Sequence, residues 1–212
     1  MINAMFRSRM VPRTTTAVRK GCRLFSSRQR YTIAIARDLP SSFANAVTKF
    51  AQSEEPIDVV RTKEQKAEYL RTLRRYVPTL CLPALEEHPD SVFVEDTVVA
   101  IGRKAVITNP GHPSRRGEVD TVMEALRQLG FEIVDMRKVE SAFCDGGDVL
   151  YTGRHLFVGL SERTNAGAVQ VLADSFHGVN VRAVEFQGEA LHLKSIVTHI
   201  DEVTLLDRKS VV

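Results

Sequence analysis

The sequence has few cysteines and no long apolar run, and both shortages narrow the class of protein. Its three cysteines, Cys22, Cys81 and Cys144, are too few and too scattered for a disulfide framework, and none forms the CxxC pair typical of zinc sites. No apolar segment approaches the roughly 18 residues that a membrane span requires. Of the 212 residues, 43% are hydrophobic and 26% are charged, which is an ordinary globular composition. We therefore expect a protein of a reducing compartment with no membrane partner.

Acidic residues are missing from the first 37 positions, where basic residues are abundant. Eight of the 29 lysines and arginines lie within residues 1–30, and the remaining 21 share residues 31–212 with all 26 acids. An Arg-rich, Ser/Thr-rich leader without acids is typical of a mitochondrial transit peptide, and Arg23-Leu24-Phe25-Ser26 resembles a matrix-processing site. The alternatives are a disordered basic tail on a cytoplasmic protein and a start codon placed upstream of the true one. Residues 31–212 are mildly acidic and contain neither a basic patch nor an RNA-binding motif, so we expect no nucleic-acid partner.

A ββαβ pattern occurs twice from Asp96 onward, and the two copies begin 52 residues apart. Each copy has two short strands joined by a Gly-Arg turn, an amphipathic helix, a glycine and a further strand. The spacing predicts strands over 97–101, 105–108 and 131–134 around a helix over 114–129. The second copy predicts strands over 149–152, 156–159 and 179–184 around a helix over 161–176. Each unit leaves a sheet face and a helix face that a neighbouring unit must cover.

Partial copies flank the two complete ones. Upstream, the pattern predicts a strand over 31–37, helical segments over 43–50 and 67–77, and a strand over 79–82. Downstream, it predicts a hairpin of strands 195–198 and 203–206 with Asp201 in the turn, and the sequence ends before any helix follows. About three and a half units are awkward for a closed repeat architecture, so we expect the sequence to be cut short.

Three carboxylates bracket an apolar trio just before the first complete unit. Asp90, Glu95 and Asp96 lie within seven residues, and adjacent carboxylates repel each other unless a cation or a shared proton compensates them. This pattern indicates a pocket for a cationic group, and a planar guanidinium is favoured because a carboxylate accepts two of its N–H donors side by side. A solvated strand end is the alternative.

Arginines stand at the predicted starts of both helices, in Pro113-Ser-Arg-Arg116 and Arg163-Thr-Asn165. Because a positive charge opposes the helix dipole there, equivalent arginines in both units require an explanation. Both could bind the carboxylate of an amino acid, or each could pair with a nearby surface acid.

Two further segments hold polar residues that ordinary turns do not require. In Cys144-Asp-Gly-Gly-Asp148, two glycines permit close approach of the backbone to a ligand, and Asp145 and Asp148 project from the turn. His192 lies between two leucines in Leu191-His-Leu-Lys194. Such a histidine is either a buried structural residue or, because its pKa lies near neutrality, a group for proton transfer.

Taken together, these segments resemble the dimethylarginine dimethylaminohydrolases of the guanidino-group-modifying superfamily. Five blocks occur in the family order over roughly residues 31–199: Ser91-Val-Phe-Val-Glu-Asp96, Gly111-His-Pro-Ser-Arg-Arg116, Asp145-Gly-Gly-Asp-Val-Leu150, Gly159-Leu-Ser-Glu-Arg-Thr-Asn165 and Leu191-His-Leu-Lys-Ser195. The resemblance implies an α/β fold, the five-bladed pentein propeller of ββαβ units around a central active site. It divides the chain into a leader over 1–30 and an incomplete propeller catalytic domain over 31–212.

The resemblance also implies an activity, the hydrolysis of asymmetric dimethylarginine to citrulline and dimethylamine, with no metal and no organic cofactor. Asp90, Glu95 and Asp96 would hold the substrate guanidinium, and Arg115 and Arg163 its α-carboxylate. Asp145 would support His192, which protonates departing dimethylamine and then activates water. The segment after Leu39-Pro40 would be a lid over the substrate.

The family nucleophile is a cysteine in the last blade, and none of the three cysteines of this sequence matches it. Cys22 lies in the leader, Cys81 on a short strand, and Cys144 at a position that is ordinarily apolar, so core packing is the interpretation for Cys144. We expect an incomplete and therefore inactive dimethylargininase. The alternatives are a non-catalytic guanidino-binding or regulatory protein, and another superfamily activity such as arginine deimination or amidino transfer.

Overall fold

The structure is a computed structural model that describes residues 4–7, 31–46, 57–188 and 190–207. Apart from Ala4–Arg7, the predicted leader over 1–30 lies outside the described residues. The helix predicted over 43–50 and the lid expected after Leu39-Pro40 are described only as far as Ala46. Residues Ser41–Asn45 form a short 3-10 helix. No helix in the described ranges is long and apolar enough to cross a membrane.

The first sheet consists of strands β1 Ala4–Arg7, β2 Tyr31–Arg37 and β3 Thr79–Leu82, with β2 in the middle, and helix α1 spans Val59–Leu73. β2 pairs with β1 in antiparallel and with β3 in parallel orientation, and helix α1 connects β2 to β3. The Asp58 side chain accepts a hydrogen bond from the Arg61 N–H and so caps the start of α1. The strands predicted over 31–37 and 79–82 are confirmed as β2 and β3. The second predicted helix is confirmed as α1, but it begins eight residues before the predicted start at position 67. Strand β1 lies within the predicted leader, where no strand was expected.

The two predicted ββαβ units are confirmed, and each forms its own three-stranded sheet. In both sheets the first two strands pair in antiparallel orientation and the strand after the helix adds in parallel. Counting the first sheet and α1 as the first unit, the second unit is the first predicted copy. It comprises β4 Val98–Ile101, β5 Lys104–Ile107, α2 Val119–Gln128 and β6 Glu132–Asp135. The third comprises β7 Val149–Tyr151, β8 His155–Leu160, α3 Ala166–Ser175 and β9 Asn180–Glu185.

Glycines set the turns of both units. Gly102 and Gly153 adopt φ values of +64° and +101° in the two hairpin turns. Gly130 and Gly178, at +75° and +80°, follow helices α2 and α3. These left-handed conformations are costly for other residues, which is why the Gly-Arg turn and the post-helix glycine recur at the same places in each unit.

Both helices begin later than the sequence pattern predicts, and this expectation was wrong. A 3-10 helix over Pro113–Glu118 precedes α2, because Pro113 lies in its first turn and the regular α-helix starts only at Val119. Helix α3 begins after Asn165, whose side chain accepts a hydrogen bond from the Ala168 N–H. Arg115 and Arg163 therefore precede the two α-helices and do not lie in their first turns.

Neighbouring units share their hydrophobic cores. Ile35 of β2 packs in one cluster with Val98 and Ile107 of the second unit. Val106 of the second unit packs with Leu156 of the third. Each unit thus covers an apolar face of the next, as the repeat requires.

A two-stranded hairpin follows the third unit, as predicted. Strands β10 Val197–His199 and β11 Leu205–Asp207 pair in antiparallel orientation, and the Asp201 carboxylate accepts hydrogen bonds from the N–H groups of Val203 and Thr204 in the turn. Ile200, Val203 and Leu206 are exposed. The α/β class is thereby confirmed, since every described sheet belongs to a ββαβ unit or to this partial copy.

Candidate active site

Three chain segments from different parts of the sequence meet at one place. The Gly147 N–H donates to Asp96 Oδ1 at 2.8 Å, the Leu193 N–H donates to Asp148 Oδ1 at 2.9 Å, and His192 Nε2 lies 3.1 Å from Asp145 Oδ2. The first of the three segments holds the predicted carboxylates, the second is the Asp-Gly-Gly-Asp turn, and the third holds the predicted histidine. The structure thus brings together residues that are 45 to 51 positions apart.

Only glycine fits in the middle of the Asp-Gly-Gly-Asp turn. A Cβ atom on Gly146 would overlap the backbone carbonyl of Glu95, and one on Gly147 would lie 2.5 Å from His192 Nδ1 and 2.8 Å from Asp96 Oδ1. Both glycines have ordinary negative φ values, so the reason for glycine here is space and not backbone conformation. The two glycines let the carboxylates and the histidine approach each other closely.

Asp148 anchors two of the segments. It is fully buried, and its Oδ2 accepts hydrogen bonds at 2.7 Å from the hydroxyls of both Ser161 and Thr164, while its Oδ1 accepts from the Leu193 N–H. Burial raises the pKa of Asp148, and these three donors oppose that shift. Asp148 therefore fixes the loop of Arg163 and the segment of His192 to the same turn.

Asp145 orients His192. Its Oδ1 accepts from the Gly111 N–H at 3.0 Å, which leaves Oδ2 for His192 Nε2. Burial lowers the pKa of His192, but the hydrogen bond with Asp145 and the charges of Asp96 and Asp148 outweigh burial, so the pKa is raised. A histidine held in this way can carry a proton near neutral pH, as a general acid must.

Replacing Asp145 by asparagine is expected to lower the pKa of His192. The amide oxygen can still accept from the Gly111 N–H, but the negative charge beside His192 Nε2 is lost. Because the folded-state pKa is raised in the wild type, His192 contributes stability at acidic pH that disappears as pH rises through that pKa, and the variant should lose this contribution. Proton NMR titration of the imidazole measures the shift, with the His177 signal as an internal reference. An identical His192 titration in both proteins would contradict the assignment.

The three predicted carboxylates lie together, but they differ in partners. Asp96 is buried; burial would raise its pKa, but the charge and hydrogen bond of Arg115 lower it. Glu95 Oε1 accepts from the Lys194 ammonium at 2.5 Å, and burial raises the pKa of Glu95 despite this cation. Asp90 is buried in a 3-10 turn, where its backbone carbonyl accepts from Arg115.

Arg115 is engaged in buried ion pairs, which does not support its predicted contact with a substrate carboxylate. Its Nη1 donates to Asp96 Oδ2 at 2.7 Å, and its Nε and Nη2 both donate to the Glu118 carboxylate. Arg115 and Glu118 are both buried. The structure therefore makes Arg115 the partner that holds Asp96 in place, and a carboxylate would have to compete with two acids for it.

Arg163 is a better candidate than Arg115 for binding a substrate carboxylate. Its Nη1 is buried and finds no hydrogen-bond partner among the described residues. Its backbone N–H donates to Ser161 Oγ at 3.0 Å, which ties the loop to the Asp148 anchor. An unsatisfied buried guanidinium nitrogen is costly, and a bound anion would satisfy it.

The two described cysteines lie in surroundings that disfavour the thiolate form. Cys144 is fully buried in the core that the second and third units share, and burial, followed by the charges of Asp148 and Asp145, raises the pKa of its thiol. Burial and a hydrogen bond to Asp38 raise the pKa of Cys81 to about 11. The interpretation of Cys144 as a core residue is confirmed, and Cys22 lies outside the described residues.

Three residues of the site were missed or given no role in the sequence analysis. Glu118 is a buried acid three positions after Arg115, a spacing that could have indicated an ion pair. Asp148 was expected to project from the turn and was given no role, but its carboxylate accepts hydrogen bonds from three internal donors. Lys194, which lies in the segment Leu191-His-Leu-Lys-Ser195 and was given no role, pairs with Glu95.

Among the described residues, Asp96, Asp145 and His192 form a cluster with the residue types and spacing of metal ligands. One ligand atom from each lies within 4.8 Å of the other two. The backbone N–H groups of Gly147 and Gly111 already donate to the two carboxylates. The expectation that no metal is needed stays a prediction.

The fold resembles solved hydrolases that act on arginine derivatives. A cysteine-to-serine variant of the dimethylarginine dimethylaminohydrolase of Pseudomonas aeruginosa, complexed with citrulline, matches with a TM-score of 0.77 and 30% identity over 84% of this chain and 69% of the other. The N-terminal domain of the cyanobacterial arginine dihydrolase ArgZ matches with a TM-score of 0.68, but at 19% identity it supports the fold alone. The protein therefore has the α/β fold that these guanidino-modifying hydrolases share.

The sequence comparisons specify the family. The family described as N,N dimethylarginine dimethylhydrolase, eukaryotic, matches residues 38–206. The N(G),N(G)-dimethylarginine dimethylaminohydrolase of Streptomyces coelicolor is 42% identical over 129 residues, and that of Pseudomonas aeruginosa is 37% identical over 153. These matches cover 60% and 70% of this chain, but 49% and 59% of the relatives. The chain belongs to the dimethylarginine dimethylaminohydrolase family and spans about half the length of these relatives.

Proposed function

We propose that the site serves the hydrolysis of Nω-methylated arginine, with asymmetric dimethylarginine as substrate and citrulline and dimethylamine as products. The observation that carries this proposal is the pair of His192 and Asp145 at 3.1 Å beside the buried carboxylate of Asp96. The citrulline bound to the Pseudomonas aeruginosa relative supports the same substrate class.

Acidic groups bind the cationic end of the substrate. Asp90, Glu95 and Asp96 form the guanidinium site, and of these Asp96 is kept ionised and oriented by Arg115. Arg163, with its unsatisfied buried nitrogen, binds the α-carboxylate. The substrate is thus held at both ends by opposite charges, which fixes the guanidinium carbon in relation to His192.

The reaction requires a nucleophile in addition to these groups. A thiolate adds to the guanidinium carbon, the C–N bond to dimethylamine breaks as His192 supplies a proton, and water activated by His192 then releases citrulline and the thiolate. Within the described ranges no ionised thiol lies at His192, because Cys81 and Cys144 are both held protonated. The described residues therefore supply binding and proton transfer, but not the attacking atom.

A protein of these 212 residues is therefore expected to bind asymmetric dimethylarginine and to produce no citrulline. Calorimetric titration measures binding, and a colorimetric citrulline assay measures turnover. Arg163→Met removes a charge-assisted bond of about 1.5 to 3 kcal/mol, which corresponds to roughly 10- to 150-fold weaker binding. Arg154→Met, a substitution in the turn between β7 and β8, is the matched control and should bind like the wild type.

Two outcomes would contradict this assignment. Citrulline formation above background would show that another group acts as nucleophile, and Cys144→Ser would be the first variant to examine. Absence of binding would contradict the substrate class.

Binding without turnover also fits the second candidate function, a guanidino-binding regulatory protein, which the raised pKa values of both described thiols favour. Adding a polypeptide that carries the family's cysteine-bearing unit distinguishes the two candidate functions. Citrulline should then form if the protein is part of a hydrolase, but not if it is a regulatory guanidino-binding protein.

We also propose that residues 1–30 direct the protein to mitochondria, on the support of their basic, acid-free composition. A fusion of these residues to a fluorescent protein should enter mitochondria, because import recognises a positively charged amphipathic leader. The fusion should remain in the cytosol when glutamate replaces five arginines, namely Arg7, Arg9, Arg13, Arg19 and Arg23. Diffuse cytosolic fluorescence from the unmodified fusion would favour the cytoplasmic alternative.

A further inference from the structure

The ion pair between Lys194 and Glu95 has no role in the function proposed above. Lys194 Nζ lies 2.5 Å from Glu95 Oε1, and the pair joins segments that are 99 residues apart. Both side chains are about four-fifths buried, with exposures of 19% and 18%. Lys194 is two residues from His192, so the segment that carries the proposed acid also carries a cation into the guanidinium site.

Lys194 pairs with Glu95, which is next to a second buried acid, Asp96. The charged groups that act on Glu95 come from its own segment and from the segment of His192, while the Asp-Gly-Gly-Asp turn packs Gly146 against the Glu95 backbone. They are Asp96, which is paired with Arg115, together with His192 and Lys194. Glu95 is the one of these carboxylates that pairs with the Lys194 ammonium in the described structure.

A carboxylate as buried as Glu95 needs a positive partner to remain ionised. Burial and the neighbouring charge of Asp96 raise the pKa of Glu95, and Lys194 opposes both effects. A guanidinium bound to Glu95 would supply the same compensation with better geometry, because its planar N–H groups match a carboxylate and an ammonium does not. One carboxylate oxygen cannot hold both cations at hydrogen-bond distance without bringing the two like charges together.

We propose that Lys194 is an exchangeable counter-ion, which pairs with Glu95 in the ligand-free protein and gives up this place to the guanidinium group of the substrate. This inference rests on the proposed function and adds a specificity-determining residue to it. The exchange selects cationic ligands, since a neutral urea cannot compensate the charge of Glu95. The exchange also favours product release. The neutral urea group of citrulline leaves Glu95 without a cationic partner, and Lys194 then pairs with Glu95 again.

The test compares Lys194→Met with Lys194→Arg, which keeps the charge, and with Lys104→Met, which removes a lysine from the surface ion pair with Glu132. Binding of asymmetric dimethylarginine and of citrulline is measured by calorimetry with the whole 212-residue protein between pH 5 and pH 9. Carbon-13 NMR of the Glu95 carboxyl carbon follows its titration in the ligand-free proteins.

Loss of Lys194 should make binding of the cation depend on pH. Without the ammonium, the midpoint of the Glu95 titration should rise by about one pH unit or more. Below that midpoint, Lys194→Met should bind asymmetric dimethylarginine about tenfold more weakly than the wild type. Above it, the variant should bind at least as tightly, because the competing ammonium is gone. Citrulline affinity should change by less than about threefold, and Lys104→Met should follow the wild type. Lys194→Arg should keep Glu95 ionised as the wild type does, but it should bind asymmetric dimethylarginine more weakly, because its guanidinium competes better than an ammonium for Glu95.

Any pH-independent change in Lys194→Met, whether a loss or a gain, would overturn the inference, as would an equal loss for both ligands. His192 titrates in all of these proteins, so only the difference between their profiles reports on Glu95. In a Glu95→Gln background, Lys194→Met should no longer move the midpoint, and this pair keeps the test valid where the single variant is unstable. Failure of the wild type to bind either ligand would instead contradict the proposed function, and the NMR titration would still decide whether Lys194 compensates Glu95.

Discussion

Replacing Arg115 by methionine should lower the free energy of unfolding by about 3 to 5 kcal/mol at neutral pH. Arg115 lies between Asp96 and Glu118, and all three side chains are buried. Removing the cation leaves two buried carboxylates without compensation, which costs far more than the ion pairs contribute by themselves. The loss should become smaller as pH falls, because the unpaired carboxylates can then take up protons.

Arg116→Met is the matched control for this prediction. Arg116 is exposed, its Nε donates to the Pro110 carbonyl at 3.3 Å, and its guanidinium lies 5.0 Å from the centroid of the Phe143 ring. Its replacement should therefore change stability by less than about 1 kcal/mol. Urea denaturation at pH 7.5 and pH 5.5 measures both variants. Equal stabilities of the two variants at pH 7.5 would show that the buried charges are compensated by something other than Arg115.

Replacing Asp148 by alanine should destabilise the protein by about 3 kcal/mol or more, since each unsatisfied buried donor costs about 1 to 3 kcal/mol. The variant leaves the hydroxyls of Ser161 and Thr164 and the N–H of Leu193 without their acceptor. It also frees the segments of His192 and Arg163, so binding of asymmetric dimethylarginine should weaken by at least about tenfold.

Asp174→Ala, which removes an exposed carboxylate from α3, is the control and should behave like the wild type. Thermal unfolding and calorimetric titration measure the two effects separately. If Asp148→Ala kept wild-type stability but lost binding, Asp148 would contact the ligand directly, and its role as an internal anchor would be wrong.

The repeating units could be predicted from sequence because local features specify them. Gly102 and Gly153 mark the hairpin turns, and the apolar stripe of α2 includes the buried residues Val122 and Leu126. The start of each helix could not be predicted to the residue. The reason is that a 3-10 turn begun by Pro113 and a cap at Asn165 replace the first turn that the hydrophobic spacing suggests.

The site was predicted as a set of residues, but their partners were not. Adjacent acids and an isolated histidine are visible in sequence, so Asp96, Asp145 and His192 were identified. Glu118 was overlooked although its spacing of three positions from Arg115 is visible in the sequence. Whether Arg115 faces a ligand or an internal acid depends on tertiary packing, which the sequence does not display. Lys194 was overlooked for the same reason, since its partner Glu95 lies 99 positions away.

The hydrogen bonds that assemble the site cross between units, whereas those that form each sheet stay within a unit. Lys194 meets Glu95 across 99 residues, but β4 and β5 pair across a two-residue turn. Closing a long loop costs more chain entropy than closing a hairpin, and contacts distant in sequence form slowly. We therefore expect each unit to form early during folding and the capacity to bind a ligand to be acquired last, when the segments of Asp96, Asp148 and His192 dock.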